Sequence, residues 1–381
     1  MLGLTDPGDN FIVAEDDDGA ADSEPALPGQ ELVPFDPALP ALHAYLGDCA
    51  DLSDTYGACL EDGHECLLPV LSFTDLVVTP GCILPLLVCN SRAHWVLEQA
   101  LSAAAPYTGL IAVVMKEECQ TRQSGQRHVG CTACIKKLQR HDNGIWPATL
   151  KVLAEGCQRL EVVHPTTQLS WKVQICADAA TPKLPREVQE GRAHWAVWAW
   201  RASDAWTLAD DATQLFRELF PQVRVLRGDP AEVSYWMMRN IPLSAAKRQA
   251  LLGAPTVVHR LRSICAILAA EAHGHLLCTV CRCQLGHNQD VLAVTHEGTG
   301  GLFVNSSGYV HDVVAIRHIE AEKVMLLGRP SQEHSWFPGY AWTIANCGAC
   351  GSHLGWRFTA LQQQLPRDFF GLRRQALTSI A

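Results

Sequence analysis

The chain has 381 residues, of which 48% are hydrophobic and 18% charged, the composition of an ordinary soluble protein with room for about two or three domains. Forty acidic against 30 basic residues give a formal net charge of −10, and 17 of the acids precede the first basic residue, Arg92. This pattern predicts an acidic N-terminal region followed by a near-neutral body. It argues against direct nucleic-acid binding, which needs clustered Lys and Arg.

Residues 1–34 are rich in Asp, Glu, Ala, Gly and Pro and have no periodic apolar pattern, so they are predicted to be a disordered acidic tail. The longest apolar run, Cys82–Cys89, is too short to span a membrane, and no signal peptide is expected. Sixteen cysteines without an export signal favour metal ligands and buried thiols over disulfides.

From Cys66 to about Ile175 short apolar runs alternate with turns, which is typical of a β-rich domain. One amphipathic helix is predicted near Arg92–Ala103. Residues 35–184 are therefore expected to form a β-rich N-terminal domain, and residues 181–187 are predicted to be a linker.

Residues 185–272 have helical periodicity. One helix face is predicted from spacings of four, three and four between apolar residues, namely Val257, Leu261, Ile264 and Leu268. A second helix is indicated by Leu215, Phe216, Leu219 and Phe220. Ser244 is a candidate N-cap for a further helix. We expect a helical bundle here, followed by strands after Gly274.

Two Cys-x-x-Cys pairs, Cys278 with Cys281 and Cys347 with Cys350, lie in the last part of the chain. Two such pairs complete a tetrahedron of thiolates at about 2.3 Å from a metal ion. Four thiolates leave no open coordination position, so the sequence predicts one structural Zn²⁺ that stabilises residues 273–381. The alternative is two unrelated pairs of buried cysteines.

Other cysteines leave alternatives open. Cys131 and Cys134 have the same spacing, but in the strand-like run HVGCTACIKK their sulfurs would point to opposite faces. Packing or surface thiols are favoured there over a second metal or redox site, for which Cys119 and Cys157 are isolated candidates. Cys283 is an alternative ligand in the first pair, although only Cys278 and Cys281 have the two-residue gap.

Three of the 11 tryptophans, Trp336, Trp342 and Trp356, flank the second cysteine pair, and Phe358 shares a strand face with Trp356. Indole rings offer large rigid faces and one N–H donor, which suits a small flat ligand with polar edges. Composition alone favours the alternative that these residues form a buried aromatic core.

Five sequence motifs surround these tryptophans: HSWFPGYAW at 334–342, the following Cys-x-x-Cys, SHLGW at 352–356, VNSSGYVH at 304–311 and LLGRPS at 326–331. Together they resemble the thalidomide-binding (CULT) domain of the cereblon family. The resemblance extends from Cys278 to the C-terminus. It implies a zinc-anchored β-tent with a pocket formed by Trp336, Trp342 and Trp356.

The resemblance also implies a ligand. His334 and the Trp336 backbone would bind the imide edge of a glutarimide or of a C-terminal cyclised Gln or Asn degron, with Phe358 and Asn305 as further ligand-binding residues. Ser307 stands where the family pattern has histidine.

The front of the chain is similar to a Lon-type N-terminal substrate-binding domain, through LPVLSFTDLVVTPGCILPLLV at 68–88, and LPALHAYLG at 39–47 also fits the cereblon family. The expected fold is α+β and multidomain. It comprises a β-rich Lon-type domain at 35–184, a helical bundle at 185–272 and a zinc-bound β-tent, the CULT domain, at 273–381.

The function implied by the resemblance is that of a non-catalytic substrate receptor of a cullin-RING E3 ubiquitin ligase, in the cytoplasm and nucleus. Its helical bundle would dock on the damage-specific DNA-binding protein adaptor of the ligase. Degron-bearing proteins and glutarimide-type small molecules would bind its pocket.

Two other functions are weighed against this one. A stand-alone cyclic-imide binding module would have no ligase contact. A methionine sulfoxide reductase B-like enzyme would use a similar β-tent but needs a reactive thiolate in the pocket, and the hairpin FVNSSGYVH at 303–311 contains no cysteine. A Lon protease is excluded because the chain lacks a phosphate-binding G-x-x-x-x-G-K-[ST] loop.

Overall fold

The computed structural model describes residues 33–53, 59–116, 128–141, 149–178, 201–221, 223–270, 274–296 and 298–380. Nearly all of the predicted acidic tail, the predicted linker and Cys119 lie outside these residues.

The strands, in chain order, are β1 (Val33–Pro34), β2 (Ala50–Asp51), β3 (Glu65–Phe73), β4 (Ile83–Val88), β5 (Leu110–Met115), β6 (Val129–His141), β7 (Thr149–Pro165), β8 (Ser170–Ile175), β9 (His275–Cys278), β10 (Gln284–His287), β11 (Gly300–Val304), β12 (Val310–Ile316), β13 (Val324–Ser331), β14 (Tyr340–Cys347), β15 (His353–Ala360), β16 (Gln364–Leu365), β17 (Asp368–Arg373) and β18 (Leu377–Ile380). The α-helices are α1 (Ser91–Ser102), α2 (Ala205–Leu219), α3 (Pro230–Asn240), α4 (Ala245–Leu252) and α5 (Val257–Ala270).

The N-terminal sheet has seven strands in the order β2-β6-β5-β3-β8-β7-β4, and β6 also pairs with β7. This extra pairing joins the ends of the run β6-β5-β3-β8-β7, so these five strands close into a barrel. Strand alternation places Cys131 in the hydrophobic cluster shared with α1 and Cys134 in a different cluster. The two sulfurs therefore face opposite sides of β6, as their spacing predicts.

The helices of the bundle begin at side-chain caps. Asp204 accepts a hydrogen bond from the Thr207 N–H at 2.8 Å, and Ser244, the predicted cap, accepts one from the Lys247 N–H at 3.3 Å. Asp229 forms a capping box with Glu232 at the start of α3. The predicted apolar face of α5 is fully buried; it consists of Val257, Leu261, Ile264 and Leu268.

The C-terminal domain contains a six-stranded sheet, in the order β11-β12-β17-β15-β14-β13, and a three-stranded sheet, β10-β9-β18. It shares one hydrophobic core with the helical bundle: Leu261 and Ile264 of α5 belong to the same cluster as Leu372 and the two cysteines Cys278 and Cys347. The bundle therefore contributes to the same hydrophobic core as the strands that carry the predicted metal ligands.

Residues 33–47 lie against the C-terminal domain. Strand β1 pairs with β16, the Phe35 ring lies 5.3 Å from the Tyr340 ring, and the Tyr45 hydroxyl accepts a hydrogen bond from the Val304 N–H at 3.2 Å. The sequence-based boundary at residue 35 assigned most of this segment to the N-terminal domain. In the structure the aromatic side chains of this segment pack against the C-terminal domain, while Leu46 shares a hydrophobic cluster with Leu153 of β7, so the segment contacts both domains. Among the described helices, none is long and apolar enough to cross a bilayer.

Candidate functional site

The two cysteine pairs sit in turns of the same backbone design. Cys278 ends β9 and Cys347 ends β14. In each turn the carbonyl of the first cysteine accepts a hydrogen bond from the backbone N–H of the residue four positions later. The Arg282 N–H donates to Cys278 at 2.9 Å, and the Gly351 N–H donates to Cys347 at 2.8 Å. Arg282 and Gly351 both have left-handed backbones, with φ of 64° and 72°. The turns therefore present their thiols in matching ways.

The sulfurs of Cys278, Cys281, Cys347 and Cys350 all lie within 4.8 Å of one another. The Cys281 and Cys347 sulfurs are 3.6 Å apart, and those of Cys278 and Cys350 are 3.8 Å apart. Four sulfurs arranged tetrahedrally at about 2.3 Å from an ion are separated by about 3.8 Å. The four predicted ligands are thus brought together at distances that fit a metal ion.

Ser352 supports this set of thiols. Its hydroxyl oxygen lies 3.1 Å from the Cys350 sulfur and 3.4 Å from the Cys278 sulfur. Hydrogen bonds from the Ser352 side chain and backbone lower the pKa of Cys350 to about 6. Because the thiolate is the form that binds metals, the turn favours the ligating state of Cys350 at neutral pH.

Cys283 is the counterpart of Ser352 in the first turn. The Cys278 N–H donates to the Cys283 carbonyl at 3.0 Å, as the Cys347 N–H donates to the Ser352 carbonyl at 2.8 Å. The Cys283 sulfur lies 3.3 Å from the Cys347 sulfur but does not belong to the group of four mutually close sulfurs. Cys283 therefore occupies the position of a supporting hydrogen-bond partner rather than that of a ligand.

The alternative of a second metal site at Cys131 and Cys134 finds no matching group of ligands among the described residues. Within the described parts of the chain, the group Cys278, Cys281, Cys347 and Cys350 is the one cluster of three or more potential metal ligands. A hydrogen bond with the Cys157 thiol lowers the pKa of Cys134 to about 7. The two thiols thus form a pair, with Cys131 on the other face of β6.

Trp336 forms the base of the aromatic cluster. It is 6% exposed, stacks on Phe303 with ring centroids 5.2 Å apart, and meets the edge of Trp356 at 4.7 Å. Its indole N–H donates to the Val304 carbonyl at 3.1 Å. Trp342 and Trp356 are only half-buried. The cluster therefore combines a core tryptophan with two whose surfaces stay partly accessible.

Trp342 and Phe358 are partners across the β14–β15 ladder. Phe358, predicted to be a ligand-binding residue, is 1% exposed and packs edge-on against Phe337 at 4.7 Å, so it supports the cluster from within the core. The Trp342 indole N–H donates to the Glu333 carbonyl at 2.8 Å. Because the indole donors of Trp336 and Trp342 are both engaged, the polar edge of a ligand needs other partners.

His334 is available for that role. Its side chain is 53% exposed, its φ is 51°, and Nε2 lies 3.8 Å from a Glu333 carboxylate oxygen. A cavity of about 280 Å³ adjoins it; Tyr45 and Ser335 also line this cavity, whereas the three tryptophans do not. The left-handed backbone at His334 turns the chain just before Trp336.

Asn305 has a structural use in the hairpin between β11 and β12. Its side-chain oxygen accepts hydrogen bonds from the N–H groups of Ser307 at 3.1 Å and Tyr309 at 2.8 Å. Asn305 therefore shapes the turn in which Ser307 is exposed.

Two histidines of the site were not predicted from the sequence. His311 lies between Trp336 and Trp356, with ring centroids at 5.7 and 5.1 Å, and His353 lies 4.9 Å from Trp356. Burial lowers the pKa of His311 to about 4, so its ring is neutral at physiological pH. Both histidines lie within the motifs quoted from the sequence, so the motifs could have identified them as site residues. Their contacts with the tryptophans, however, depend on strand pairing.

Comparisons with known proteins agree with this architecture. Residues 67–270 match the family model of the ATP-dependent protease La (LON) substrate-binding domain. The chain is 29% identical to the protein cereblon of Gallus gallus, over 91% of this chain and 85% of that protein. It is also 29% identical to the protein cereblon of Xenopus tropicalis, over 95% of this chain and 88% of that protein.

A solved structure of the N-terminal domain of the Mycobacterium avium complex Lon protease is 17% identical and covers 54% of this chain and 98% of its own length, with a TM-score of 0.36. That likeness is too distant to add to the assignment. The family model covers more than half of the chain, and the cereblon matches extend over both the barrel and the cysteine-bearing sheets. The chain belongs to the Lon substrate-binding domain family and is a cereblon-like protein.

Proposed function

We propose that this protein is a non-catalytic substrate-recognition subunit of a cullin-RING E3 ubiquitin ligase, acting in the cytoplasm and nucleus, and that it binds cyclic imides between its tryptophans. The observation that carries this proposal is the pair of half-buried rings, Trp342 and Trp356, beside the buried ring of Trp336. Indole faces that are partly accessible beside a rigid buried ring can bind a small flat ligand, whereas the rings of a closed core cannot.

The chemistry of a cyclic imide matches the groups that remain free to bind it. Its ring faces are apolar, and its edge carries two carbonyl acceptors and one N–H donor. Trp342 and Trp356 offer faces, while His334 and the backbone around Trp336 offer polar partners. Glutarimides and C-terminal cyclised Gln or Asn residues share this edge, so both belong to the proposed substrate class.

We further propose that the metal is a single structural Zn²⁺ held by Cys278, Cys281, Cys347 and Cys350. Four thiolates suit Zn²⁺, and when bound it would fix the two turns relative to each other. Cys347 ends the strand that carries Trp342, and the strand that carries Trp356 begins shortly after Cys350. The ion would therefore hold two walls of the pocket in register.

The helical bundle is proposed to dock on the damage-specific DNA-binding protein adaptor of the ligase. Trp206 of α2 is 61% exposed and Leu226 is 41% exposed. Both line a groove of about 680 Å³, together with Arg217, Glu218 and Arg227. Exposed aromatic and arginine side chains around a groove are typical of the energetic centres of protein interfaces.

The test separates these roles. Intact zinc-loaded protein is titrated with glutarimide and with N-methylglutarimide, with tryptophan fluorescence as the readout, and adaptor co-purification is measured in parallel. Saturable quenching by glutarimide alone, together with adaptor capture, supports the proposal. Ligand binding without adaptor capture favours the stand-alone binding module, and turnover of a methionine sulfoxide substrate favours the reductase-like enzyme.

A further inference from the structure

A cavity of about 40 Å³ lies where four parts of the chain meet. Its lining comes from the N-terminal segment at 40–43, the N-terminal sheet at 82–83, the helical bundle at 239–248, and the C-terminal domain at 295–312 and 374. We call it the junction cavity. A cavity of about 10–15 Å³ already admits one water molecule, so this space has room for more than one.

Four charged side chains line the junction cavity: Arg239, Arg248, Arg374 and Asp312. Asp312 lies between two of the arginines, with Oδ1 accepting from Arg374 Nε at 3.0 Å and Oδ2 accepting from Arg248 Nη2. Arg248, Arg374 and Asp312 are all buried within the side-chain packing. Three guanidiniums and one carboxylate leave two positive charges in excess, and buried charges are costly unless they are paired.

The donors of the arginines are not all used. Each nitrogen of Arg374 donates a hydrogen bond, since Nε binds Asp312 and Nη1 and Nη2 donate to the carbonyls of Ile241 and Arg239 at 2.6 and 2.8 Å. The Nε groups of Arg248 and Arg239, in contrast, are buried without a hydrogen-bond partner among the described residues. Arg239 donates through Nη1 to the Pro80 carbonyl at 2.5 Å.

The other lining groups offer no compensating negative charge. Asp312 is the one acidic residue in the lining as the structure describes it. The Asn240 side-chain oxygen already accepts from the Thr299 N–H at 2.7 Å. His43 is neutral at physiological pH because burial lowers its pKa to about 4. Excess positive charge, unpartnered donors and open space therefore coincide at one place.

We propose that the junction cavity binds a small monovalent inorganic anion, of the size of chloride, close to Arg239 and Arg248. Charge-assisted hydrogen bonds from guanidiniums to an anion are stronger than bonds between neutral groups. Because the lining is contributed by four parts of the chain, the anion binds only when they are docked. Its binding therefore stabilises the docked arrangement by mass action.

The experiment measures the thermal unfolding of the full chain at constant pH and constant ionic strength. Sodium gluconate, whose anion is too large for the cavity, is replaced stepwise by sodium chloride. We expect a saturable rise in melting temperature of roughly 2–4 °C for the wild type. The same rise is expected for the control variant Arg140→Met, which removes an arginine that pairs with Glu98 on the surface.

In Arg239→Met and Arg248→Met the chloride-dependent rise should disappear. Since Arg248 also supports Asp312, that variant is at greater risk of misfolding, and Arg239→Met carries the test if Arg248→Met does not fold. Equal melting temperatures in chloride and gluconate would overturn the proposal and would mean that the cavity holds water instead of an anion. A rise that persists in Arg239→Met would place the anion elsewhere.

Crystals grown with sodium bromide give an independent readout. An anomalous difference peak within the junction cavity is expected, and its absence contradicts the proposal. A peak in the crystal without any chloride-dependent stabilisation in solution means an adventitious ion only, which also overturns it.

Discussion

Cys283 stands in the first cysteine turn where Ser352 stands in the second, and each places its side chain against the sulfur of a predicted metal ligand in the opposite turn. The turns are equivalent in their backbone hydrogen bonds, so the likeness between the two residues follows from geometry. A thiol that the sequence left open as a ligand is thereby assigned a supporting role.

This relationship predicts different outcomes for neighbouring cysteines. Cys283→Ser keeps a hydroxyl donor in place of the thiol and should retain one bound Zn²⁺ per chain. Cys281→Ser removes a ligand and should lose the ion and destabilise residues 273–381, because binding and folding of a structural site are coupled. Metal stoichiometry after exhaustive dialysis, with far-UV circular dichroism, checks both. Loss of zinc from Cys283→Ser alone would show that Cys283, not Cys281, is the ligand.

Replacing each tryptophan should have an effect on stability that depends on how deeply its ring is buried. Trp336→Ala removes a buried ring and is expected to destabilise the fold by about 3–5 kcal/mol. Trp342→Ala, at a half-buried ring, should cost much less stability but abolish stabilisation by glutarimide, since only a ligand that binds the native state raises stability.

Denaturant unfolding with and without glutarimide measures both quantities for Trp336→Ala and Trp342→Ala. N-methylglutarimide serves as the ligand control, because methylation removes the imide donor and leaves its partner unpaired. Equal stabilisation by the two compounds would contradict the polar-edge interaction while leaving the aromatic contact intact.

The adaptor surface is tested at Trp206. Trp206→Ala should weaken adaptor binding at least about tenfold while changing the free energy of unfolding by less than about 0.5 kcal/mol, as expected for an exposed interface residue. The matched control is Trp95→Ala, which removes a tryptophan that is 41% exposed on α1. Affinity measured by surface-immobilised adaptor is the readout. Equal affinity for both variants would exclude α2 as the docking surface.

Acid should destabilise the protein through His43. Burial, with a smaller contribution from the charge of Lys137, lowers the pKa of His43 from 6.5 to about 4. The stability that its neutral form contributes is fully present above pH 6.5 and is lost as the pH falls toward 4, by up to about 3 kcal/mol.

His43→Gln should therefore flatten the pH dependence of the unfolding free energy between pH 6.5 and 4. His311, whose pKa is lowered to about 4 by burial, contributes to the same window, so the slope should fall without vanishing. His334→Gln, at an exposed position, is the control. An unchanged slope in His43→Gln would contradict the assignment.

Much of the fold follows from local pattern. The N-cap at Ser244, the apolar face of α5 and the position of α1 depend on residues close in sequence, and all are found where the periodicity places them. Each predicted pair of metal ligands is itself a local turn, and the two turns meet as the repeated two-residue spacing predicts.

Features that depend on contacts between distant parts of the chain were not predicted from the sequence. Strand pairing shifts between Ala345 and Asn346, whose partners are Gly355 and His353, so the alternation that would turn His353 away from Trp356 is broken. The docking of residues 33–47 and the contacts of Asp312 with arginines from two other elements depend on partners far along the chain. No periodicity in a single segment reports such contacts.

The shared core of bundle and C-terminal domain has a thermodynamic consequence. Cys278 and Cys347 belong to the same cluster as Leu261 and Ile264 of α5, and α5 in turn packs against α2, which carries Trp206. We therefore expect that removing the proposed Zn²⁺ loosens the core that also holds α5, a helix that presents no cysteine ligand. A chelator should therefore weaken adaptor binding as well as imide binding. The affinity of the proposed adaptor surface on α2 would then depend on whether the remote metal site is occupied.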